Sequence, residues 1–471
     1  MPKWLATPTA PAGPLLVPVA SCLMGVALCL GAWEPLFWIT DVNSSKRPWH
    51  RSIAASGDTV HVVWNDDRWT WPPYSFTEVA YRRSTDGGVT WDSLMWLTRP
   101  DYRQSDRPAV AVHDSVVHVV WLDSVPASGA VHHRRSVDAG ASWEEDQVIC
   151  NSGSSNPLVA ATGSLVYVVW SNNQSGNDEI FIRRSTDEGL TWESASQVTA
   201  DTEPSWNPTI AVSESTIYLA WEDKIGSEYN ILTARSTDAG RSWIRGLLVT
   251  DTFRFQECYI DAHGAHAFLA YTSDCDGSSD PEVFIKHSDD AGATWSPATR
   301  LSDDTAQSSD PAVAVSERNV HVAWTDNRAG WSHIYYRMSS DRGNTWHAEL
   351  QLSPDSFHSY YPSLALAGTR VHVVWMYKPW EIRNIVYRRD PVGNVSTLQD
   401  TSPRTPKQRL TARIIWDLRR ADVDCRLVVN SAGRAIVVPG GACDNTAGSP
   451  PGVYFALGTR TRGALKIICV P

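Results

Sequence analysis

Seven polar residues, His50, Arg107, Asn156, Asn207, Glu257, Asp310 and Tyr361, recur along the chain at intervals of 49 to 57 residues. Each stands directly ahead of a short apolar stretch, and in five cases the next residue is proline: Pro108, Pro157, Pro208, Pro311 and Pro362. The residue type hardly repeats. A position that merely supports a repeated scaffold keeps its residue, whereas one lining a shared asymmetric pocket does not. The types also suit chemistry. A guanidinium gives paired donors to an anion or a hydroxylated ligand. Carboxyl groups divide the roles of proton donor and nucleophile, and a phenol adds a further nucleophile. Arg107, Glu257, Asp310 and Tyr361 are the strongest candidates in the set. The alternative is a row of solvated side chains capping strand ends.

Aromatic residues crowd the same places. Trp49, Trp206 and Tyr360 immediately precede ring residues, while Trp69, Trp71, Tyr74, Trp331 and Trp380 fall in the polar loops between repeats of strand pattern. The chain has 23 Trp, about half of them placed by repeated motifs; the others need another role. Flat rings serve as platforms for the apolar faces of sugars, and exposed large aromatics mark binding surfaces. Packing between loops is the competing explanation.

The elements that would hold these residues are written in two repeats. The pattern Ser-x-Asp-x-Gly-x-Thr/Ser-Trp ends at Trp91, Trp143, Trp192, Trp243, Trp295 and Trp346. In phase with it, runs such as VHVVW end at Trp64, Trp121, Trp170, Trp221, Tyr271, Trp324 and Trp375. A period near fifty points to a solenoid or a propeller. Each unit contains four short β-branched, aromatic-rich runs bounded by polar turns, and no helical stretch alternates with them. That predicts an all-β propeller of seven blades, with six as the alternative. The seventh unit lacks its last strand, and WEPLFWIT (33–40) resembles WDSLMWLT (91–98), the last strand of the first unit. The N-terminal segment is therefore expected to close the ring. Antiparallel order puts the seven polar residues at the start of the innermost strands on one face. The Asp-containing turns fall on the other face, and the acidic residues that follow the VVW runs and the arginines of the RRS repeats are expected to be scaffold.

The six turns resemble the Asp boxes (BNR repeats) of the sialidase, or neuraminidase, superfamily over roughly residues 33–398. Such turns occur in enzymes and non-enzymes alike, so they speak for architecture more than activity. A sialidase resemblance implies an exo-α-sialidase-type glycoside hydrolase with three arginines on the substrate carboxylate, a Tyr–Glu nucleophile pair and an Asp acid/base. The family's first arginine lies in Phe/Tyr-Arg-Ile-Pro; the nearest matches are DRP at Arg107 and KRP at Arg47, and no second or third arginine is assigned by motif. Tyr361 and Glu257 form the nucleophile pair only if the ring brings them together across two blades. A seventh blade also departs from the six of the sialidase domain. The functional expectation is a secreted propeller recognising extracellular glycans or glycoproteins, with hydrolysis of terminal sugars as the implied activity. The alternative is a non-catalytic glycan- or protein-binding propeller.

The net charge of −11 over 471 residues is spread along the chain and offers no basic stripe for nucleic acid. Residues 1–32, with Lys3 ahead of an apolar run ending in Ala32, read as an export signal. No cofactor is required; Asp274, Asp276 and Asp280 in DCDGSSD form a candidate Ca²⁺ loop. Cys258 and Cys275 are candidates for a disulfide at neighbouring strand ends of the fifth unit. Residues 399–412 form a linker rich in Pro, Thr and Ser. Residues 413–471 read as a small β-sandwich that resembles the C-terminal sorting domain of the type IX secretion system. That resemblance implies contact with secretion machinery and a place outside, or on the surface of, a Gram-negative-type bacterium. A monomer is expected.

Overall fold

A computed structural model of the chain describes residues 33–40, 46–48, 51–68, 76–99, 103–125, 128–226, 228–249, 257–274, 280–302, 306–379 and 382–392, and the backbone of four strands between 425 and 469. The chain divides into two units, Met1–Gln399 and Asp400–Pro471. The first unit contains seven antiparallel sheets, each one blade. Their innermost strands are, in order, Ile53–Ser56, Gln104–His113, Ser154–Thr162, Ser205–Ser213, Cys258–His263, Ser308–Ser316 and His358–Ala367. In the first blade a second piece, Lys46–Arg47, pairs with the same neighbour as Ile53–Ser56, strand Thr59–Asp66. Seven is thus the blade number. Phe37–Trp38 supplies the outer strand of blade seven, with Phe37 opposite Tyr387 and Trp38 opposite Val386. In the second unit, Ala435–Pro439, Cys425–Val429, Val453–Leu457 and Lys466–Cys469 form one antiparallel sheet in that order.

Each blade is built on its second strand, which is covered on both faces and accordingly reads as a continuous apolar run. Trp64, Trp121, Trp170, Trp221, Trp324 and Trp375, with Tyr271 in blade five, are at most 2% exposed. Burying about 200 Å² per indole stabilises the fold by roughly 5 kcal/mol each. In four of the six the indole N–H is satisfied two residues further on: Trp64 donates to Asp66, Trp121 to Asp123, Trp221 to Asp223 and Trp324 to Asp326, at 3.0–3.3 Å. The acidic residue after VVW is therefore scaffold, as its repetition implies.

The Asp boxes fasten the outer turns. In blade two Ser136 Oγ donates to Asp138 Oδ1 (2.8 Å) and accepts from Gly140 N (2.8 Å), while Ser142 N and Oγ donate to the same carboxylate at 2.8 and 2.6 Å. Bonds from Ser142 and Ser136 hold the Asp138 carboxyl down at about 2. Gly140, at φ 79°, tolerates no side chain, because a Cβ there would collide with the Tyr81 hydroxyl of the preceding blade. The box tryptophans wedge between blades, as Trp143 does edge to face against Tyr81, centroids 5.0 Å apart. The RRS arginines staple neighbouring blades. Arg83, Arg184 and Arg235 each donate to a carbonyl of the next blade's box, those of Ala139, Ala239 and Ala291, at 2.7–3.2 Å. Since this network lies on the face away from the ring, Asp138→Ala is expected to lower the thermal midpoint by a few degrees and to leave ligand affinity unchanged. Calorimetry beside a binding titration checks both halves.

Candidate functional site

Five ring residues share one backbone device. Arg107, Asn156, Asn207, Asp310 and Tyr361 all adopt left-handed φ of 50° to 56°. In each blade the pairing register slips there, between Asp106 and Ala109, Ser155 and Leu158, Trp206 and Thr209, Ser309 and Ala312, and Tyr360 and Ser363. The following proline has no N–H for the ladder, so a bulge accommodates it and re-aims the preceding side chain. A non-glycine residue at such φ costs on the order of 1–3 kcal/mol, and strain of this kind gathers at ligand-binding sites. Blade five has no proline and no slip: Cys258 pairs with Tyr271 and Glu257 precedes the strand. In blade one the left-handed residue is Arg51, φ 56°; His50 lies outside the described residues.

Three of the five, Arg107, Asn156 and Asn207, line one cavity of about 260 Å³ together with Glu222 and Glu257, with Cys258 and Tyr259 among its other walls. Asn156 Nδ2 donates to Asn207 Oδ1, and the Asn207 amide and Trp206 Nε1 (2.8 Å) both bond the Glu222 carboxyl. Burial nevertheless pushes Glu222 up to about 7. Glu257 Oε2 accepts from Asp310 N at 3.1 Å. Burial first, and the adjoining Asp310 carboxylate second, raise Glu257 well above the usual carboxylate range. Burial likewise raises the Cys258 thiol well above its ordinary value. A hydrogen-bonding, partly protonated acidic pocket results, with Arg107 its one arginine among the described residues.

Glu222 was not singled out from the sequence. It occupies the position after the VVW aromatic, where the blades carry Asn65, Leu122, Ser171, Glu222, Thr272, Thr325 and Met376. This second non-repeating ring buttresses the first. Asn65 Nδ2 donates to Asp106 (2.8 Å), Glu257 N to Thr272 Oγ1 (3.3 Å) and Tyr361 N to Thr325 Oγ1 (3.2 Å). Beneath the mouth runs an axial space of about 240 Å³ lined by all seven inner strands. Arg51 crosses it from blade one to the Ile260 carbonyl of blade five, 2.8 Å away, beside Asp261.

Glu257 and Asp310 are thus brought into contact, and Arg107 joins Glu257 in one cavity. Neither Asp310 nor Tyr361 is among the residues lining it; the Tyr361 ring lies 6.0 Å from that of Tyr360. Trp206 is half-buried against Glu222, and Trp331 is 46% exposed at the rim. Trp49, Trp69, Trp71, Trp380, Asp276 and Cys275 lie outside the described residues. Asp274 and Asp280 are described, and no cluster of metal-ligating side chains occurs among the described residues. Cys258 is a buried free thiol. No helix among the described residues is long and apolar enough to cross a membrane.

Seven four-stranded blades, six Asp boxes and an axial mouth of unlike polar residues define a sialidase-like propeller. Over residues 127–373, just over half of its length, the sequence matches the BNR repeat-like domain family, and the chain belongs to that family. No curated protein matches it. Among solved structures it is similar to a Dyadobacter fermentans protein of unknown function (13% identity, TM-score 0.46, covering 62% of this chain and 95% of that one). It is likewise similar to phage phi92 endosialidase (12%, 0.48, 93% and 79%) and to Trypanosoma rangeli sialidase (15%, 0.42, 74% and 55%). The chain thus spans little more than half of the trypanosomal enzyme.

Proposed function

We propose that this is a secreted glycan-recognising propeller whose axial mouth takes an uncharged, hydroxylated sugar unit. The observation that supports it is the Asn156–Asn207–Glu222 relay beside Glu257 in one cavity, with Asp310 bonded to Glu257 from the next blade. At neutral pH a carboxyl held near 7 both donates to and accepts from sugar hydroxyls, and the two amides add fixed donors and acceptors. A sialic acid carboxylate fits this pocket poorly, since it would meet two carboxyl groups, Glu222 and Glu257, and one arginine, Arg107, where the sialidase pattern asks for three arginines. The leader-like residues 1–32 and the sorting-domain resemblance of residues 413–471 support export and display outside the cell.

A second reading, glycoside hydrolysis, is favoured by Glu222 and Glu257 lining one cavity with Asp310 against Glu257: Glu222 would act as general acid, and the Glu257–Asp310 pair, sharing one proton, would leave one carboxylate as base or nucleophile. A glycan array followed by an aryl-glycoside panel tests both. Neutral glycans should be retained in preference to sialosides, and Asn207→Ala should weaken retention about tenfold, the equivalent of about 1.4 kcal/mol. If turnover is found, Glu222→Gln should lower kcat by about 10²- to 10⁴-fold with KM little changed. Retention of sialosides alone, or of nothing, sinks the proposal.

A further inference from the structure

Aromatic rings flank the carboxyl-bearing stretch of the mouth on both sides. On the blade-four side Trp206 meets Tyr229 edge to face at 5.7 Å, and Tyr229 is 37% exposed. On the blade-seven side Trp331 meets His358 at 4.6 Å, His358 lies nearly parallel to Tyr360 at 5.4 Å, and Tyr360 continues to Tyr361. The loop carrying Trp331 is pinned to blade seven: Ser332 N donates to His358 Nδ1 (3.1 Å) and Ser359 N to the Ser332 carbonyl (2.7 Å). Its ring is therefore presented at a fixed place. Between the two aromatic sets come Glu257 of blade five and Asp310 of blade six. These aromatics are departures from the repeat. At the position of Trp206 and Tyr360, two residues ahead of the proline, the other proline-bearing blades carry Asp106, Ser155 and Ser309.

We propose that the ligand is a chain, a neutral oligosaccharide laid along blades four to seven, and not a single terminal sugar. The inference rests on the glycan-binding function proposed above and names the substrate class of that site. Ring faces stack on the apolar faces of successive sugar units, and the carboxyl groups meet the unit between them. A polyanionic chain is disfavoured by the acidic centre and by the net charge of −11. If the site hydrolyses, the bond cut is internal to the chain. Anchoring on two sides also gives the short cavity a reach that its own volume of about 260 Å³ does not provide.

The test is calorimetric titration of the full secreted chain with gluco-, manno-, galacto-, xylo- and N-acetylglucosamine series graded from one to six units. In the series that binds, the hexamer should bind at least tenfold more tightly than the monomer. Trp331→Ala should cut hexamer affinity about tenfold and leave monomer affinity and the thermal midpoint unchanged. Tyr229→Ala should do the same from the other end. Equal affinity for monomer and hexamer overturns the chain and leaves the glycan-binding function standing. Absence of binding throughout the panel overturns both.

Discussion

Deletion of residues 33–40 is expected to abolish the folded propeller, so that no soluble monomer with a cooperative melt is recovered. The eight residues close the ring and touch three blades. Phe37–Trp38 completes blade seven, with Ile39 N donating to the Ile385 carbonyl (3.0 Å) and Glu34 N to that of Arg389 (2.9 Å). The Glu34 carboxylate takes a bidentate pair from Arg389 at 2.7 and 2.8 Å. Arg82 of blade one reaches the Ile39 carbonyl at 2.7 Å, and Trp33 packs edge to face on Tyr336 of blade six at 5.0 Å. Ile39 is 1% and Trp33 8% exposed. Truncating each to Ala costs roughly 2–4 and 3–5 kcal/mol respectively. A domain holds only about 5–15 kcal/mol in total. Losing both side chains together with the strand's ladder therefore exceeds what the fold can spare, and it leaves a bare sheet edge open to association. The graded controls are Ile39→Ala and Trp33→Ala, followed by urea unfolding. A deletion protein that melts like its parent would mean the ring does not depend on this closure.

The same closure shows which parts of the molecule the sequence made legible. Blade number, strand order and the closing strand could be read because each blade solves one physical problem with the same residues. Trp above Asp, Ser and Asp in the outer turn, and an arginine for the next blade recur wherever the backbone recurs. Non-repetition then located Arg107, Asn156, Asn207, Glu257 and Asp310 at the mouth. Two things escaped it. Counting back from Trp64 selected His50, but the inner strand of blade one is broken in two and the left-handed conformation falls on Arg51, whose long side chain belongs to the axial space. Glu222 was overlooked because it follows an invariant aromatic and precedes a repeated Asp, so it looked like scaffold. Its role comes from cross-strand proximity to Asn207, which no linear spacing displays. The paired roles of Tyr361 and Glu257 depended on a contact across two blades; Glu257 instead meets Asp310, its neighbour in the ring.

Acidification from pH 6.5 to 5 is expected to lower the stability of the propeller by several kcal/mol, before ordinary carboxylates titrate. The cause is a set of histidines that repeat in the strands. His61, His321 and His372 bond the hydroxyls of Tyr81, Tyr336 and Tyr387 at 2.7 Å, and His118 bonds His133 at 3.1 Å. Burial holds His61, His118 and His372 down at about 3 and His321 at about 4, and it lowers His133 well below its ordinary value. Unfolded, each titrates near 6.5. Below that pH the unfolded chain binds protons that the native state refuses, so stability falls with pH by about 1.4 kcal/mol per unit for each proton. Glu222 and Glu257 act in the opposite direction, because their raised folded values let the native state take protons first. Glu179, Asp223, Asp261 and Glu349, also raised by burial, add to that offset as the pH approaches their range. Five histidines against two strongly raised carboxyls leave the net sign with the histidines between pH 6 and 5. Nearer pH 3 the Asp boxes, held at about 2 at Asp86, Asp138 and Asp341, lose their hydrogen-bonded charge and add to the loss. Urea unfolding at pH 7, 6 and 5 measures the slope. His372→Gln, whose amide still reaches Tyr387, should flatten that slope by about one proton while costing about 1 kcal/mol at pH 7. A stability that holds level or rises on acidification would show that these imidazoles are charged in the native state, and that burial does not govern their protonation.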